Sequence, residues 1–328
     1  MIISKTPFRI SFCGGGSDLA DFYQRAGYGA VLSTAIDKFA YIALHRFFEN
    51  KFVLKYSQTE ISDDAASIKH PLIRECLLYT GTTEPLEITS FADIPSSGSG
   101  LGSSSAFSVG LINALLAQQG RMPSREMCAD GACQVEIERL HEPIGKQDQY
   151  AAAYGGLNYI RFNADGSVQV EPIIMPRERH QALTDNLVMF YTGITRRASS
   201  ILTEQKRNVA NDEARFQTMC KMRDQADRLR AELALGHIDV VGSLMHEGWL
   251  LKKHMASGVS NPQLDDIYNR ALAAGAKGGK LLGAGGGGFF LFYCEPSQRP
   301  ELISALSDLR HVEFQLERQG TRIIYVDY

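Results

Sequence analysis

Three glycine-rich segments hold most of the residues in this 328-residue sequence that are able to do chemistry. They occupy positions 14–18, 100–105 and 283–288 and read Gly-Gly-Gly-Ser-Asp, Gly-Leu-Gly-Ser-Ser-Ser and Gly-Ala-Gly-Gly-Gly-Gly. Glycines let backbone N–H groups approach a phosphate without a side chain in the way. The start of a helix adds unpaired N–H donors and about half a positive charge. Segment 100–105 stands directly before an apolar helical pattern, so it predicts a nucleotide-phosphate site. A serine-rich loop that only caps the helix is an equally open alternative.

The other two glycine segments admit two interpretations each. Segment 283–288 fits the GxGxxG pattern, but a strand-like run follows it, whereas a dinucleotide-binding fingerprint opens a helix. A Rossmann oxidoreductase is therefore disfavoured, and the absence of GxxxxGK[ST] excludes a Walker-type loop. Four consecutive glycines indicate either a tight hairpin or a close approach of backbone or ligand. Asp18 either caps a following helix, which the sequence slightly favours, or accepts hydrogen bonds from sugar hydroxyls.

The elements around these segments predict an α+β protein. Alternating apolar residues at 8–12 form a strand that leads into the first glycine segment, and the helix that begins near Ser103 is apolar nearly all round, which predicts burial. A second helix is expected from Ser124 to just before Pro143. Helical spacing continues over about 198–235, and a final strand covers 322–326.

Composition places the chain among ordinary globular proteins. The 34 basic and 37 acidic residues give a net charge of −3 without long runs of either sign, so neither a nucleic-acid partner nor a membrane partner is expected. No apolar stretch approaches the roughly 20 residues of a membrane span, and we expect a soluble cytoplasmic protein. The six dispersed cysteines lack zinc-ligand spacing and are interpreted as reduced thiols. Oligomeric state is not indicated.

The order of the motifs resembles that of the GHMP kinases, the superfamily of galactokinase, homoserine kinase, mevalonate kinase and phosphomevalonate kinase. The resemblance rests on Pro-Phe-Arg-Ile-Ser-Phe-Cys-Gly-Gly-Gly-Ser-Asp at 7–18, on segment 100–104 and on segment 283–288, and it spans nearly the whole chain. Together with Glu-Pro-Ile-Gly-Lys-Gln-Asp-Gln-Tyr at 142–150, the first motif resembles the branch that contains D-glycero-D-manno-heptose 7-phosphate kinases.

The resemblance implies a two-domain fold and an ATP-dependent sugar kinase. An N-terminal α+β domain, placed at 1–175, would carry the phosphate loop, and a C-terminal ferredoxin-like domain would cover 176–328, with the boundary between Phe162 and Asn186. ATP and Mg²⁺ would meet the sugar in the cleft between the domains. The implied reaction phosphorylates the anomeric hydroxyl of the heptose 7-phosphate to give the 1,7-bisphosphate. A kinase for an unphosphorylated sugar, such as fucose or another hexose, is the alternative.

The resemblance also assigns roles to individual residues. Asp148 would be the base and Arg9 the cation beside it, although a lone Asp in a polar turn is ordinarily a surface or capping residue. Mg²⁺ would be held by Ser104 and Glu138, with Glu136 as the competing choice. The nucleotide would bind to Pro95, Gly98, Ser99, Gly100, Leu101, Gly102, Ser103, Ser104, Ser105, Gly285 and Gly286. The sugar phosphate would bind to Gly15, Gly16, Ser17, Asp18, Gly193 and Arg196, with Arg196 supplying charge for the phosphate.

Some positions depart from the family pattern. Four residues, 96–99, separate Pro95 from Gly100 where the family usually has three, and Phe8 replaces a usual glycine. Gly15 and Gly16 stand where galactokinases carry Glu and His, which argues against galactose as the substrate. Two rival hypotheses lie outside the kinases: a sugar or nucleotide sensor that has lost its chemistry, and a nucleotide oxidoreductase.

Overall fold

A computed structural model describes residues 1–94, 98–194 and 198–327, and it confirms a mixed helix-and-sheet fold. The described helices are α1 Ala20–Ala26, α2 Pro71–Thr80, α3 Ser103–Gln118, α4 Arg125–Cys133, α5 Gln147–Tyr154, α6 Arg177–Asp185, α7 Ala198–Asn211, α8 Glu213–Ala234, α9 Val240–Lys253, α10 Pro262–Ala273 and α11 Arg299–Ala305. The described strands are β1 Ile2–Cys13, β2 Tyr28–Arg46, β3 Phe52–Lys55, β4 Thr59–Ser62, β5 Leu86–Ala92, β6 Leu157–Asn163, β7 Val168–Pro172, β8 Leu187–Tyr191, β9 Ala276–Leu281, β10 Phe289–Cys294, β11 Arg310–Val312, β12 Leu316–Glu317 and β13 Arg322–Val326.

The larger sheet is built on the long antiparallel pair β1 and β2. Its main path runs β13-β1-β2-β5-β3-β4, and β12 and β6 also pair with β2. Arg9 lies opposite Ala35 in this ladder and is 4% exposed, so the pairing fixes its backbone deep in the protein. A strand that is paired on its long edge is a rigid support for a functional side chain.

Helix α3 packs directly across this sheet. Its positions Ser105 to Leu116 are almost entirely buried, as its all-round apolar pattern predicted. Close contact with β1 depends on Gly110, since a Cβ atom there would lie 2.6 Å from the hydroxyl of Thr6. The hydroxyl of Ser4 donates a hydrogen bond to the Gly110 carbonyl at 2.8 Å. These contacts fix the distance between α3 and β1.

The second sheet has the strand order β11-β8-β10-β9 and is antiparallel throughout. Aromatic residues fill its core, among them Trp249 of α9 and Phe290 of β10, whose rings meet edge to face at a centroid distance of 5.8 Å. The glycine segment 283–288 joins β9 to β10, so the hairpin interpretation is correct. The close-approach interpretation is correct as well: a Cβ atom on Gly283 would lie 2.4 Å from the α-carbon of Gly100.

The end of the chain returns to the first sheet. Strand β13 pairs antiparallel with β1, and Leu316 and Glu317 of β12 pair with β2. The expected assignment of all of 176–328 to a second domain therefore needs correction at its C-terminal end. The position of the boundary near residue 175 stays a prediction.

The helix predicted from Ser124 to Pro143 is divided in two. Ser124 does cap it, because its hydroxyl accepts a hydrogen bond from the amide of Met127 at 3.1 Å. After α4, however, the backbone continues as a π-helical turn over Gln134–Arg139. Such turns are rare and are often found at functional sites. Among the described residues, no helix is long and apolar enough to cross a membrane.

Candidate active site

A cleft of about 300 Å³ lies where the glycine segments 14–18 and 100–105, the start of α5 and the second sheet meet. Its walls are contributed by β1, by the loop before α3, by α5, by α9 and by β9 with the turn that follows it. The three glycine-rich segments, at 14–18, 100–105 and 283–288, are far apart in sequence, yet each of them contributes residues to this one cavity. The cleft is therefore the candidate active site.

Arg9 and Asp148 form a two-point ion pair in the cleft. Nε and Nη2 of Arg9 donate to Oδ1 and Oδ2 of Asp148 at 2.7 and 2.8 Å, and the Arg9 and Asp148 side chains are 5% and 23% exposed. Nη1 of Arg9 donates to the carbonyl of Gly100 at 2.6 Å. Such paired, charge-assisted bonds fix both groups in orientation as well as in charge. Both residues line the cleft, so the carboxylate faces the cavity.

The glycine loop presents backbone toward this ion pair. Gly98, Gly100 and Gly102 have φ of 71°, 73° and 74°, in the left-handed region that favours glycine. Gly102 is the N-cap of α3 and makes no side-chain cap hydrogen bond. The N–H groups and the dipole at the start of a helix favour an anion. Leu101 is buried, and its carbonyl accepts a hydrogen bond from the Arg9 amide at 3.1 Å.

Most of the predicted loop residues line the cleft. These are Gly98, Ser99, Gly100, Gly102, Ser103, Ser104 and Ser105. Leu101 lies beneath the loop instead, as a core residue. Pro95 falls outside the described residues.

A buried carboxylate faces the phosphate loop, but it is not the predicted one. The hydroxyl of Ser104 donates to Oε1 of Glu136 at 2.7 Å, and Nε2 of Gln149 donates to Oε2 at 2.7 Å. Burial raises the pKa of the Glu136 carboxyl, while the bonds from Ser104 and Gln149 oppose this rise. The prediction that Glu138 would partner Ser104 is wrong, because Glu138 is exposed on the far side of the π-helical turn.

Asp18 lies in the cleft and does not cap α1, the helix that follows it. Helix α1 has Leu19 as its N-cap and no side-chain cap, so the capping interpretation is wrong. The Asp18 carboxylate accepts from the amide of Gly16 at 3.0 Å and from the amide and Nε2 of Gln147 at 3.0 and 3.1 Å. Burial raises the pKa of the Asp18 carboxyl, and these bonds oppose the rise. Gly145 leaves room for it, since a Cβ atom there would lie 2.0 Å from Oδ2.

Two lysines in the cleft were missed by the sequence analysis. Lys252 near the end of α9 is 7% exposed, and its ammonium donates to the carbonyl of Gly283. Lys280 on β9 is 6% exposed, and its ammonium lies 3.3 Å from the carbonyl oxygen of Phe12. Burial lowers the pKa of Lys252 well below its ordinary value and that of Lys280 to about 8. Lys280 directly precedes the motif Leu-Leu-Gly-Ala-Gly, which was the available signal.

Several predicted binding residues lie elsewhere. The hydroxyl of Ser17 is buried and donates to the carbonyl of Ala30 at 2.9 Å, which is a structural contact. Gly193 is exposed and does not line the cleft. Gly285 packs on Val259 of the second domain, and the amide of Gly286 donates to the Val259 carbonyl, so Gly283 and Ala284 face the cleft in their place. Arg196 falls outside the described residues.

Comparison with known proteins places these features in a family. The models described as "GHMP kinases N terminal domain" and "GHMP kinases C terminal" match residues 65–156 and 229–310. A D-glycero-alpha-D-manno-heptose 7-phosphate kinase of Campylobacter jejuni is 31% identical over 93% of both chains. A galactokinase of Pyrococcus furiosus is 25% identical over 88% of this chain and 87% of its own.

Solved structures agree on the fold. The crystal structure of a D-glycero-D-manno-heptose 1-phosphate kinase from Bacteroides thetaiotaomicron superposes with a TM-score of 0.82, at 24% identity and over all of both chains. A putative sugar kinase from Campylobacter jejuni superposes with a TM-score of 0.78, at 26% identity, over 98% of this chain and 97% of its own. The chain belongs to the GHMP kinase family. It is an ATP-dependent kinase, and several of its relatives are kinases of carbohydrates.

Proposed function

We propose that this protein is a sugar kinase that transfers the terminal phosphoryl group of ATP to the anomeric hydroxyl of D-glycero-D-manno-heptose 7-phosphate. The products would be the 1,7-bisphosphate and ADP. One observation carries the kinase chemistry: the carboxylate of Asp148, paired with Arg9, lies against Gly102 at the start of α3. A base for an alcohol and a backbone site for phosphates are therefore adjacent.

The chemistry asked of the ion pair is modest. Asp148 takes the proton of the attacking hydroxyl as the new oxygen–phosphorus bond forms and the bond from phosphorus to the ADP oxygen breaks. Arg9 holds the Asp148 carboxylate in a fixed orientation through two hydrogen bonds. It also steadies the negative charge that builds up during transfer. An anomeric hydroxyl is more acidic than an ordinary alcohol, so a weak base suffices.

The loop and Glu136 suit a nucleotide with Mg²⁺. Backbone amides of 100–105 would bind the phosphates at the start of α3, where the helix dipole favours negative charge. Ser104 and Glu136 offer a hydroxyl and a carboxylate oxygen 2.7 Å apart, which is the oxygen donor type that Mg²⁺ prefers. Mg²⁺, when bound, neutralises phosphate charge during transfer. We therefore assign the metal role to Glu136 in place of Glu138.

The sugar would bind on the opposite side of Asp148, near Gly15 and Gly16. Oε1 of Gln147 is buried and has no hydrogen-bond partner among the described residues, while Nε2 of Gln147 is held by Asp18. An acceptor oxygen fixed in this way fits a sugar hydroxyl as donor. The Asp18 carboxylate accepts from the amide of Gly16 and from the amide and Nε2 of Gln147, so it holds Gln147 in place for the sugar.

The relatives decide between candidate sugars only in part. The Campylobacter jejuni relative named for the 7-phosphate, which matches along nearly its whole length, supports the heptose phosphate. A second candidate is an unphosphorylated sugar such as fucose, because a bifunctional fucokinase/GDP-fucose pyrophosphorylase of Arabidopsis thaliana is 28% identical over 95% of this chain. This chain spans about a third of that enzyme's length.

An acceptor panel tests the substrate, and one variant tests the base. Purified enzyme with ATP and Mg²⁺ should release ADP fastest with heptose 7-phosphate, compared with heptose 1-phosphate, free heptose, fucose and galactose. Equal rates with free and phosphorylated heptose would discard the heptose phosphate. Asp148→Asn should lower kcat by about 10²- to 10⁴-fold, whereas Glu138→Gln, at an exposed position, serves as the control. Unchanged turnover in Asp148→Asn would refute the assigned base.

A further inference from the structure

Lys252 and Lys280 place two cations inside the cleft, and neither of them forms a direct ion pair with the carboxylates of Asp18, Glu136 or Asp148 that line it. Within the ranges 1–94, 98–194 and 198–327, neither ammonium has an acidic oxygen within ion-pair distance. Lys280 contacts only neutral oxygens there, the carbonyl of Phe12 at 3.3 Å and the hydroxyl of Ser11 at 3.5 Å. Lys252 likewise donates to a neutral oxygen, the carbonyl of Gly283.

Burying a lysine without a counter-ion is costly, and surface lysines are far commoner than buried ones. Two such lysines on separate elements, α9 and β9, both lining one cavity, call for an anion that enters with a ligand. Each ammonium keeps further N–H donors, since an ammonium has three. A phosphate oxygen is a strong acceptor for these donors.

We propose that Lys280, assisted by Lys252, binds a phosphate group that the acceptor already carries before the reaction. This inference rests on the proposed function and deepens it, because it assigns the acceptor to the class of sugar phosphates. It also replaces the exposed Gly193 and the undescribed Arg196 as the predicted source of phosphate contacts.

The position of Lys280 along β1 favours the acceptor's phosphate over the one being transferred. Its contacts, Ser11 and Phe12, follow Arg9 by two and three residues, so these contact points lie about 7 Å or more further along β1 than the backbone of Arg9. Reacting atoms must come within about 3–3.5 Å of one another. The transferred group must therefore stay beside Asp148, while a phosphate at Lys280 belongs to the remote end of the acceptor.

The residues around Lys280 also favour a site for the acceptor's phosphate. A Cβ atom on Gly15 would lie 3.9 Å from the hydroxyl of Ser11 and 3.7 Å from Oε1 of Gln147, so Ser11, Gly15 and Gln147 surround one small volume. The nucleotide phosphates have their own donors in segment 100–105, on another wall of the cleft. An acceptor with its reactive hydroxyl at Asp148 and its phosphate at Lys280 spans the region between them.

Kinetics of Lys280→Met tests the proposal. With ATP saturating, the KM for heptose 7-phosphate should rise about 10- to 100-fold, the range expected for losing a hydrogen bond to a charged group. The KM for ATP and kcat/KM with free heptose should stay within about twofold of the wild type. Lys277→Met is the matched control: Lys277 lies on the same strand but is exposed and paired with Glu295, so its loss should change neither constant.

Two outcomes would overturn the proposal. A rise in the KM for ATP with an unchanged KM for the sugar phosphate would assign the lysine to the nucleotide. If Lys280→Met lost catalytic efficiency equally with free and with phosphorylated heptose, Lys280 would only maintain the structure of the cleft.

A binding measurement separates this proposal from the choice of sugar. Calorimetric titration of inorganic phosphate, with a non-hydrolysable ATP analogue and Mg²⁺ filling the loop, should show binding to the wild type and to Lys277→Met but not to Lys280→Met. That result would uphold the phosphate site even if heptose 7-phosphate proved not to be the substrate. Equal phosphate binding by the wild type and Lys280→Met, or binding to neither, would refute the site whatever sugar is used.

Discussion

Asp148 packs against the α-carbon of Gly102: a Cβ atom placed on Gly102 would lie 3.2 Å from Oδ2 of Asp148. The same atom would lie 3.3 Å from Cγ of Arg9. The phosphate loop and the ion pair are thus in contact with no space for a methyl group between them. Any movement of the loop relative to the ion pair would therefore displace Asp148, the proposed base.

Gly102→Ala should therefore reduce activity far more than stability. The left-handed φ of 74° costs a non-glycine residue about 1–2 kcal/mol, and the added methyl group also pushes on Asp148. We expect kcat to fall about 100-fold, since small misplacements of catalytic groups are that costly. Steady-state kinetics and thermal unfolding provide the measurement.

Gly27→Ala is the matched control for this variant. Gly27 has a φ of 84° but no atom within 4 Å of an added Cβ, and it ends α1 away from the cleft. The Gly27→Ala variant should lose about as much stability as Gly102→Ala but keep its activity. If both variants lose activity equally, backbone strain alone explains the effect and the contact with Asp148 is irrelevant.

The metal assignment predicts different behaviour for two nearby glutamates. Glu136→Gln should raise the Mg²⁺ concentration needed for half-maximal activity by about 10- to 100-fold, the range seen when a metal site loses a supporting carboxylate. Glu138→Gln should leave the Mg²⁺ dependence unchanged, because its side chain is exposed and distant from Ser104. Titration of activity with Mg²⁺ at fixed ATP measures both. A shift in Glu138→Gln alone would restore the original prediction.

Gly145→Ala should impair the acceptor side of the cleft selectively. Its Cβ would lie 2.0 Å from Oδ2 of Asp18, so that carboxylate must move and release the amide and side chain of Gln147. We expect about a tenfold higher KM for the acceptor, corresponding to the loss of one or two hydrogen bonds. The KM for ATP serves as the internal control. An equal rise in both KM values would argue against separate acceptor and nucleotide sides.

Lys280→Met should stabilise the protein below about pH 8. Burial lowers the pKa of Lys280 from 10.5 to about 8, so the unfolded chain binds the proton more tightly than the folded one. The charged lysine therefore destabilises the fold by about 3 kcal/mol below pH 8, and this effect disappears as the pH rises toward 10.5. Denaturant unfolding at pH 7 should show a large difference in the free energy of unfolding between Lys280→Met and the wild type. At pH 10.5 that difference should be smaller. A variant less stable than the wild type at pH 7 would contradict this.

The charges that face Lys280 are consistent with this pH window. Burial and then the charge of Arg9 lower the pKa of Lys280, and the charge of Lys280 contributes to the lowered pKa of Lys252. Burial raises the pKa of the neighbouring Cys13 thiol to about 12, which keeps that thiol neutral. The same titration predicts that binding of the acceptor phosphate weakens as the pH rises through about 8. Calorimetry with inorganic phosphate at pH 7 and pH 9 measures it, and tighter binding at pH 9 would contradict the role of the ammonium.

The parts of the site that depend on backbone were predictable from the sequence. Glycine segments mark positions where a Cβ atom would collide or where φ is positive, and Gly100 and Gly283 prove to be in such contact. The apolar pattern of α3 indicated a buried helix with its start near Ser103, which the structure confirms. Asp148 was identified only through the family motif, because its local sequence is that of an ordinary turn.

The remaining features depend on long-range packing. The π-helical turn at Gln134–Arg139 inserts an extra residue into the helical repeat, so α-helical phase alone did not show that Glu136 rather than Glu138 faces the loop. Lys252 resembles the exposed basic residues common at the end of a helix. It is buried because α9 packs against both β9 and β1, and this long-range packing cannot be recognised from the local sequence.

Strand β13 pairs with β1, the strand that carries Arg9, although more than 300 positions separate them. During translation, Ile2–Cys13 is made long before Arg322–Val326, so one edge of β1 stays unpaired until β13 has been synthesised. Contacts of such long sequence separation slow folding, and an open strand edge attracts aggregation while it waits. Deletions that remove Arg322–Val326 should thus lower the soluble yield in cells, even though none of those residues touches the reaction.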